Sequence, residues 1–227
     1  MGFTIGGIRE LRRPRRASRA PGALAVAEYT GLWGWDVVPG ARARRPLGRA
    51  RAVCCCGDGA CPAPGAHPLA PGLVIGAGTA LGETQEIWAD ACARPAGATV
   101  LLPCGRAFDA LEVPEAAGRQ ALPRLERLGV PLGPVARAPH GRVWFLVAPG
   151  AARRLPQLLY RTGWDGTALD IRGYGPGSYL TAPPSSHGGL GPVRWLRPPA
   201  PETAGAPPPA RLLLGTLAWA CHRAAAA

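Results

Sequence analysis

The chain has no lysine. All 26 of its cationic side chains are arginines, set against 14 acids, for a formal net charge of +12. With abundant Ala, Gly and Pro, that absence points to a very GC-rich coding sequence as well as to selection for function. A basic surface of arginine still attracts phosphate backbones through counterion release, and guanidinium adds bidentate phosphate contacts that an ammonium cannot make. No apolar run is long enough to span a membrane, so a soluble globular protein is the expectation. Residues 1–8 are apolar but precede the arginines of residues 9–19, the reverse of the order in a secretory signal. There is no G-x-S-x-G, Walker loop or H-E-x-x-H sequence, which removes the chemistries those motifs carry. No internal repeat is visible.

A length of 227 residues suits one good core, or two small ones sharing an interface. Four of the seven cysteines fall in residues 54–61. Such clustering favours a metal site or plain thiols in a reducing cytoplasm over a disulfide framework. Cys54, Cys56, Cys61 and His67 read C-x-C-x₄-C-x₅-H, four soft or borderline donors in one glycine-rich loop, which suits structural zinc. Free thiols are the competing reading, and Cys55 could take the place of either neighbour. Cys92, Cys104 and Cys221 are isolated and read as small buried hydrophobes.

Along the chain, residues 1–22 form a basic tail with Arg9, Arg12, Arg13, Arg15, Arg16 and Arg19, either solvated or lying on phosphate. Residues 23–32 suit a short helix with Leu24, Ala27, Tyr29 and Leu32 inward, and residues 35–38 a strand stopped by Pro39. Residues 41–81 form an irregular insert carrying the Cys/His loop. Helices are expected at 84–93, at 115–128 (interrupted or kinked by Pro123), at 155–160 and at 211–222. Strands are expected at 99–102 and 107–113, with a hairpin of 135–138 and 142–147 turned at Pro139-His140-Gly141. Residues 198–209 read as a Pro/Ala linker. His187 reads as a surface residue. The pattern predicts an α/β or α+β domain.

Four segments fall in a telling order. They are residues 23–39, with Gly34-Trp35-Asp36-Val37-Val38-Pro39; residues 108–114; residues 139–147; and residues 169–199, with Asp170-Ile171-Arg172-Gly173, Ser178-Tyr179-Leu180-Thr181-Ala182-Pro183-Pro184-Ser185 and Arg194-Trp195. In that order they resemble the N-terminal domain of the bifunctional DNA primase/polymerases, a branch of the archaeo-eukaryotic primase superfamily. The resemblance covers residues 23–199 and implies a primase/polymerase-like palm, a mixed sheet flanked by helices. It also implies magnesium or manganese held by an acid-x-acid pair and a later Asp, and a phosphate-contacting His on the hairpin. The first acid falls on Glu112 and the later one on Asp170. The second acid falls on Pro114, which has no ligand atom, and the His on Val143. Asp109, three residues from Glu112, belongs to the opposite sheet face, and Glu115 meets the same objection unless Pro114 redirects the chain.

The resemblance therefore implies a stand-alone domain binding DNA or nucleotides, with synthesis reduced or lost, no helicase half after Ala227, and a replication-type partner protein. It would act in the cytoplasm or at the nucleoid, with no membrane partner. The alternative is a non-catalytic scaffold or regulatory module using the Cys/His loop and arginines for a partner. A small-molecule binder in the former nucleotide cleft is the third.

Overall fold

Ten short strands build three sheets among the described residues. The computed structural model describes residues 22–48, 51–70, 72–93 and 98–226; the arginine-rich segment 1–21 lies outside the described residues. The strands are β1 (Val38–Gly40), β2 (Ala43–Arg44), β3 (Val53–Cys54), β4 (Thr99–Pro103), β5 (Asp109–Pro114), β6 (Val135–Ala138), β7 (Arg142–Val147), β8 (Arg172–Tyr174), β9 (Tyr179–Thr181) and β10 (Arg194–Arg197). The helices are α1 (Ala23–Ala27), continued by a π-turn over Glu28–Leu32, α2 (Leu81–Ala93), α3 (Glu115–Arg127), α4 (Ala151–Arg161), α5 (Pro201–Ala204) and α6 (Arg211–Ala225).

The main sheet runs β10-β6-β7-β5-β8, a second runs β1-β4-β9, and β2 pairs with β3. The fold is α+β. Each of these ladders is antiparallel, in place of the expected mixed sheet. Alternation along β5 and β7 splits the interior in two. One face carries Ala110, Trp144 and Leu146 into a core with Trp35, Phe108 and Leu180. The other carries Leu111, Val113, Val143 and Phe145 onto Leu122 and Leu125 of α3, Leu155 of α4, and Leu213 and Leu217 of α6.

Several local expectations shift. Pro39 lies inside β1 rather than ending a strand, opposite Val100, and its carbonyl accepts from the Leu69 N–H. In the first helix Tyr29 is buried as expected, but Leu24 and Leu32 are exposed while Val26 and Thr30 are buried, and the stretch ends in a π-turn. Pro123 sits within α3 without ending it. That helix buries Ala117, Ala121, Leu122 and Leu125, while Leu128 at its end is exposed. The stretch expected as a linker contains α5. It is tied to the body by Trp35 Nε1–H donating to the Ala204 carbonyl and by Ala148 N–H donating to that of Pro208.

Candidate functional site

The site-bearing hairpins are fixed by register. On β5, Glu112 faces Trp144 of β7 and Arg172 of β8, while Pro114 faces Arg142. Directly paired residues share a sheet face, so Glu112, Arg142, Trp144 and Arg172 all lie on one side. The Glu112 carboxylate is 1% exposed, and burial of that kind requires partners. It accepts from Arg142 Nε at 3.0 Å, Trp144 Nε1 at 2.8 Å and the Tyr174 hydroxyl at 3.0 Å. Arg172 stands 3.8 Å away and His140 Nε2 4.0 Å.

Asp170 joins the same centre from the chain entering β8. The two terminal nitrogens of Arg142 grip it as a fork, Nη2 to Oδ1 at 2.9 Å and Nη1 to Oδ2, a bidentate geometry that only arginine offers. This pairing holds the Asp170 carboxyl below its usual 3.8 and pushes Arg142 up. Burial, reinforced by the Glu112 charge, pushes the Tyr174 phenol to about 12. Glu112 and Asp170 are thus brought together, and a guanidinium bridges them.

Other candidates fall elsewhere. Pro114 ends β5 and offers no ligand. Glu115 opens α3 and is engaged by Arg137 at 2.7 Å, with Arg119 at 3.6 Å. Asp109 is fully buried, and its Oδ2 accepts the Ala152 N–H at the first turn of α4. Its Oδ1 has no hydrogen-bond partner among the described residues. Val143 belongs to the core beneath α3. The hairpin residue that reaches the acids is its neighbour Arg142.

The structure adds residues that the sequence reading passed over. His187 is half-buried rather than superficial, stacked on His140 with centroids 4.5 Å apart and set against the Trp144 edge. Its Nδ1 pairs with Thr181 Oγ1 at 2.9 Å. Burial, then the His140 charge, lowers its pKa to about 4; burial also lowers that of His140, opposed by Glu112. Strand alternation could have singled out Arg142 and Trp144. Nothing in the local sequence pairs residue 140 with residue 187.

The second cluster lies on the loop after β3. Donor atoms of Cys54, Cys56, Cys61 and His67 all lie within 4.8 Å of one another, and Cys54 Sγ is 3.3 Å from His67 Nε2. His67 Nδ1 faces the Pro68 carbonyl at 2.9 Å. A carbonyl only accepts, so Nδ1 carries the proton and Nε2 keeps its lone pair for a ligand, as in an imidazole that binds metal through one nitrogen and donates from the other. Cys55 turns away: its N–H donates to the Arg42 carbonyl, and its sulfur accepts from the Arg42 N–H at 3.0 Å. Burial raises the Cys54 thiol, but hydrogen bonds from Cys56, Gly65 and His67 outweigh it and bring it down to about 6. The four are positioned to bind a metal ion.

Among the described residues no helix is long and apolar enough to cross a membrane. The family model for the bifunctional DNA primase/polymerase N-terminal domain matches residues 26–210, well over half of the chain. No curated protein and no solved structure matched in the same comparisons.

Proposed function

The chain belongs to the bifunctional DNA primase/polymerase N-terminal family, and from that premise we propose that it binds DNA or nucleotides while nucleotidyl transfer is reduced or lost. The observation that carries the reading is Arg142. Its guanidinium lies between Glu112 and Asp170, hydrogen-bonded to both, in the space that a divalent cation bridging those acids would need. Magnesium requires near-octahedral oxygen ligands, and two-metal transfer requires more carboxylates than one pair supplies. Pro114 adds none, and Glu115 and Asp109 are engaged elsewhere. These residues do not fit a two-magnesium centre. What they do form is a satisfied ion cluster that stiffens the junction of β5, β7 and β8.

The domain so defined spans residues 23–199, with the C-terminal helix packed onto it. It acts in a reducing, cytoplasmic setting alongside replication-type partners, and its Cys/His loop holds structural zinc, for which three thiols and an imidazole are the fitting donor set. Primer extension tests the main claim. Wild-type protein with magnesium or manganese should show no robust synthesis, because each missing group in such a site costs orders of magnitude in rate. Vigorous synthesis that Asp170→Ala abolishes would overturn it.

A further inference from the structure

Among the described residues some arginines stand beside acids and others, on several faces of the fold, do not. Arg106, Arg119, Arg137, Arg142, Arg172 and Arg197 each stand within salt-bridge distance of an acid. Arg44, Arg45 and Arg51 are exposed and make no ion pair among the described residues. These three gather along β2 and the segment that follows it, where two adjoining cavities meet. One, of about 460 Å³, is lined by Arg42, Arg44 and Arg45 facing Ser185 and Ser186 of the Pro-Pro-Ser turn. The other, of about 1080 Å³, is lined by Arg45 and Arg51 facing the Cys/His loop. Arg45 is common to both, so they read as one trough. Among the described residues no acid lines the smaller part. The larger has Asp58, whose Oδ1 is already bonded to the Ala60 N–H at 2.8 Å.

β2, which carries Arg44 and leads into Arg45, is approached closely on both sides. A Cβ on Gly65, in the metal loop, would fall 2.8 Å from Ala43 Cβ, and one on Gly189, beyond the Pro-Pro-Ser turn, 3.0 Å from the Arg44 carbonyl carbon. Only glycine permits those approaches, and both glycines also have positive φ. Ala43, between Arg42 and Arg44, pairs with the candidate ligand Cys54. The chain enters the described structure at Gly22, on the wall of the smaller cavity, directly after the six arginines of residues 9–19 in sequence.

We propose that this trough is the track for a single nucleic-acid strand, held by its phosphodiester backbone against Arg44, Arg45 and Arg51, with the Cys/His loop setting the position of β2. This rests on the nucleic-acid reading above and assigns it a surface whose lining residues are distinct from those of the Glu112 cluster. Exposed guanidiniums gathered along one trough suit the phosphates spaced along a strand, and a recessed surface admits a single strand more readily than a duplex.

Fluorescence anisotropy with labelled dT20, rU20 and a 20-base-pair DNA duplex, over a range of salt, tests it. The triple variant Arg44→Gln/Arg45→Gln/Arg51→Gln should bind single strands about tenfold or more weakly, with a salt slope smaller by about 2. The control Arg127→Gln/Arg153→Gln/Arg161→Gln removes equal charge from α3 and α4 and should leave binding nearly unchanged. Circular dichroism melting confirms that both variants fold. Preference for dT20 or rU20 identifies the natural strand, and either supports the track. Wild-type affinity in the trough variant, equal losses in both variants, or tighter binding of the duplex would overturn it while leaving the nucleic-acid reading intact. Failure of the wild type to bind any of the three probes at low salt would overturn that reading itself.

Discussion

Two clusters of potential metal donors lie on this fold, and they differ in where their counter-charge comes from. At the junction of β5, β7 and β8 two hard carboxylates converge, and the chain supplies the cation, Arg142. On the loop after β3 three thiols and an imidazole converge, and Cys54 lies 3.3 Å from His67, itself a ligand type. Proximity alone therefore does not define a metal site. A donor set already neutralised by a buried guanidinium is an ion pair that packs, whereas a set of soft donors directed at one another gains most by sharing a metal ion.

Removing the guanidinium should give the largest effect. Arg142→Met leaves Glu112 buried beside fewer donors, and breaking a buried pair from one side costs about 3–5 kcal/mol. In a chain of this size that lowers the melting temperature by roughly 6–20 °C. Adding Glu112→Gln should recover much of the loss, since the two positions are coupled. A single-variant loss below about 1 kcal/mol would mean that Arg142 is not the counter-charge, and the contrast would collapse.

On the other side, the purified protein should carry about one zinc per chain. Chelation or Cys61→Ser should destabilise it, because metal-binding free energy is folding free energy, and, through β2, weaken binding of dT20. Elemental analysis with calorimetry checks this. A metal-free protein with freely reactive Cys54, Cys56 and Cys61 would erase the difference between the clusters.

A smaller effect separates the clusters by pH. His187 has its folded pKa lowered from 6.5 to about 4, so the unfolded chain takes up its proton first. Stability is complete above 6.5 and falls as pH drops towards 4, by roughly 2 kcal/mol after allowing for partial exposure. Urea unfolding at pH 7 and pH 4.5 should show that decline in wild type and a flatter profile in His187→Gln. Equal slopes would remove His187 from the cluster's electrostatics.

The smallest effect belongs to Asp170. Its carboxyl is held below 3.8 by Arg142, so its contribution is present above that pH and lost as pH falls further. The side chain is 49% exposed, and solvent screening limits Asp170→Asn to about 0.5–1 kcal/mol. A loss comparable to that from Arg142→Met would show that the outer half of the bridge matters as much as the buried half.

Much of the fold was legible along the chain because its causes are local. Alternation gave the hairpin of β6 and β7, and the helix expected at residues 84–93 lies within α2. The C-x-C-x₄-C-x₅-H spacing anticipated a cluster that the fold does assemble. Local pattern failed where a neighbour overrode it. The first helix, which ends in a π-turn, turned a partly different face inward, and the Pro-rich stretch after β10 packs against Trp35 and Ala148.

What the sequence by itself determined was the inventory: an arginine-only cation set, too few acids to neutralise it, one Cys/His loop, and a strand in which Pro114 stands where a second acid would be needed. Only the tertiary structure decided how those charges are used. The antiparallel register of β5 against β7 places Arg142, not Val143, on the Glu112 face. The approach to β8 delivers Asp170 to the same guanidinium. The turn at Pro183-Pro184-Ser185 carries His187 onto His140, 47 residues earlier in the chain. Each is a contact between segments distant in sequence, fixed by strand pairing and by the cost of burying a charge without a partner.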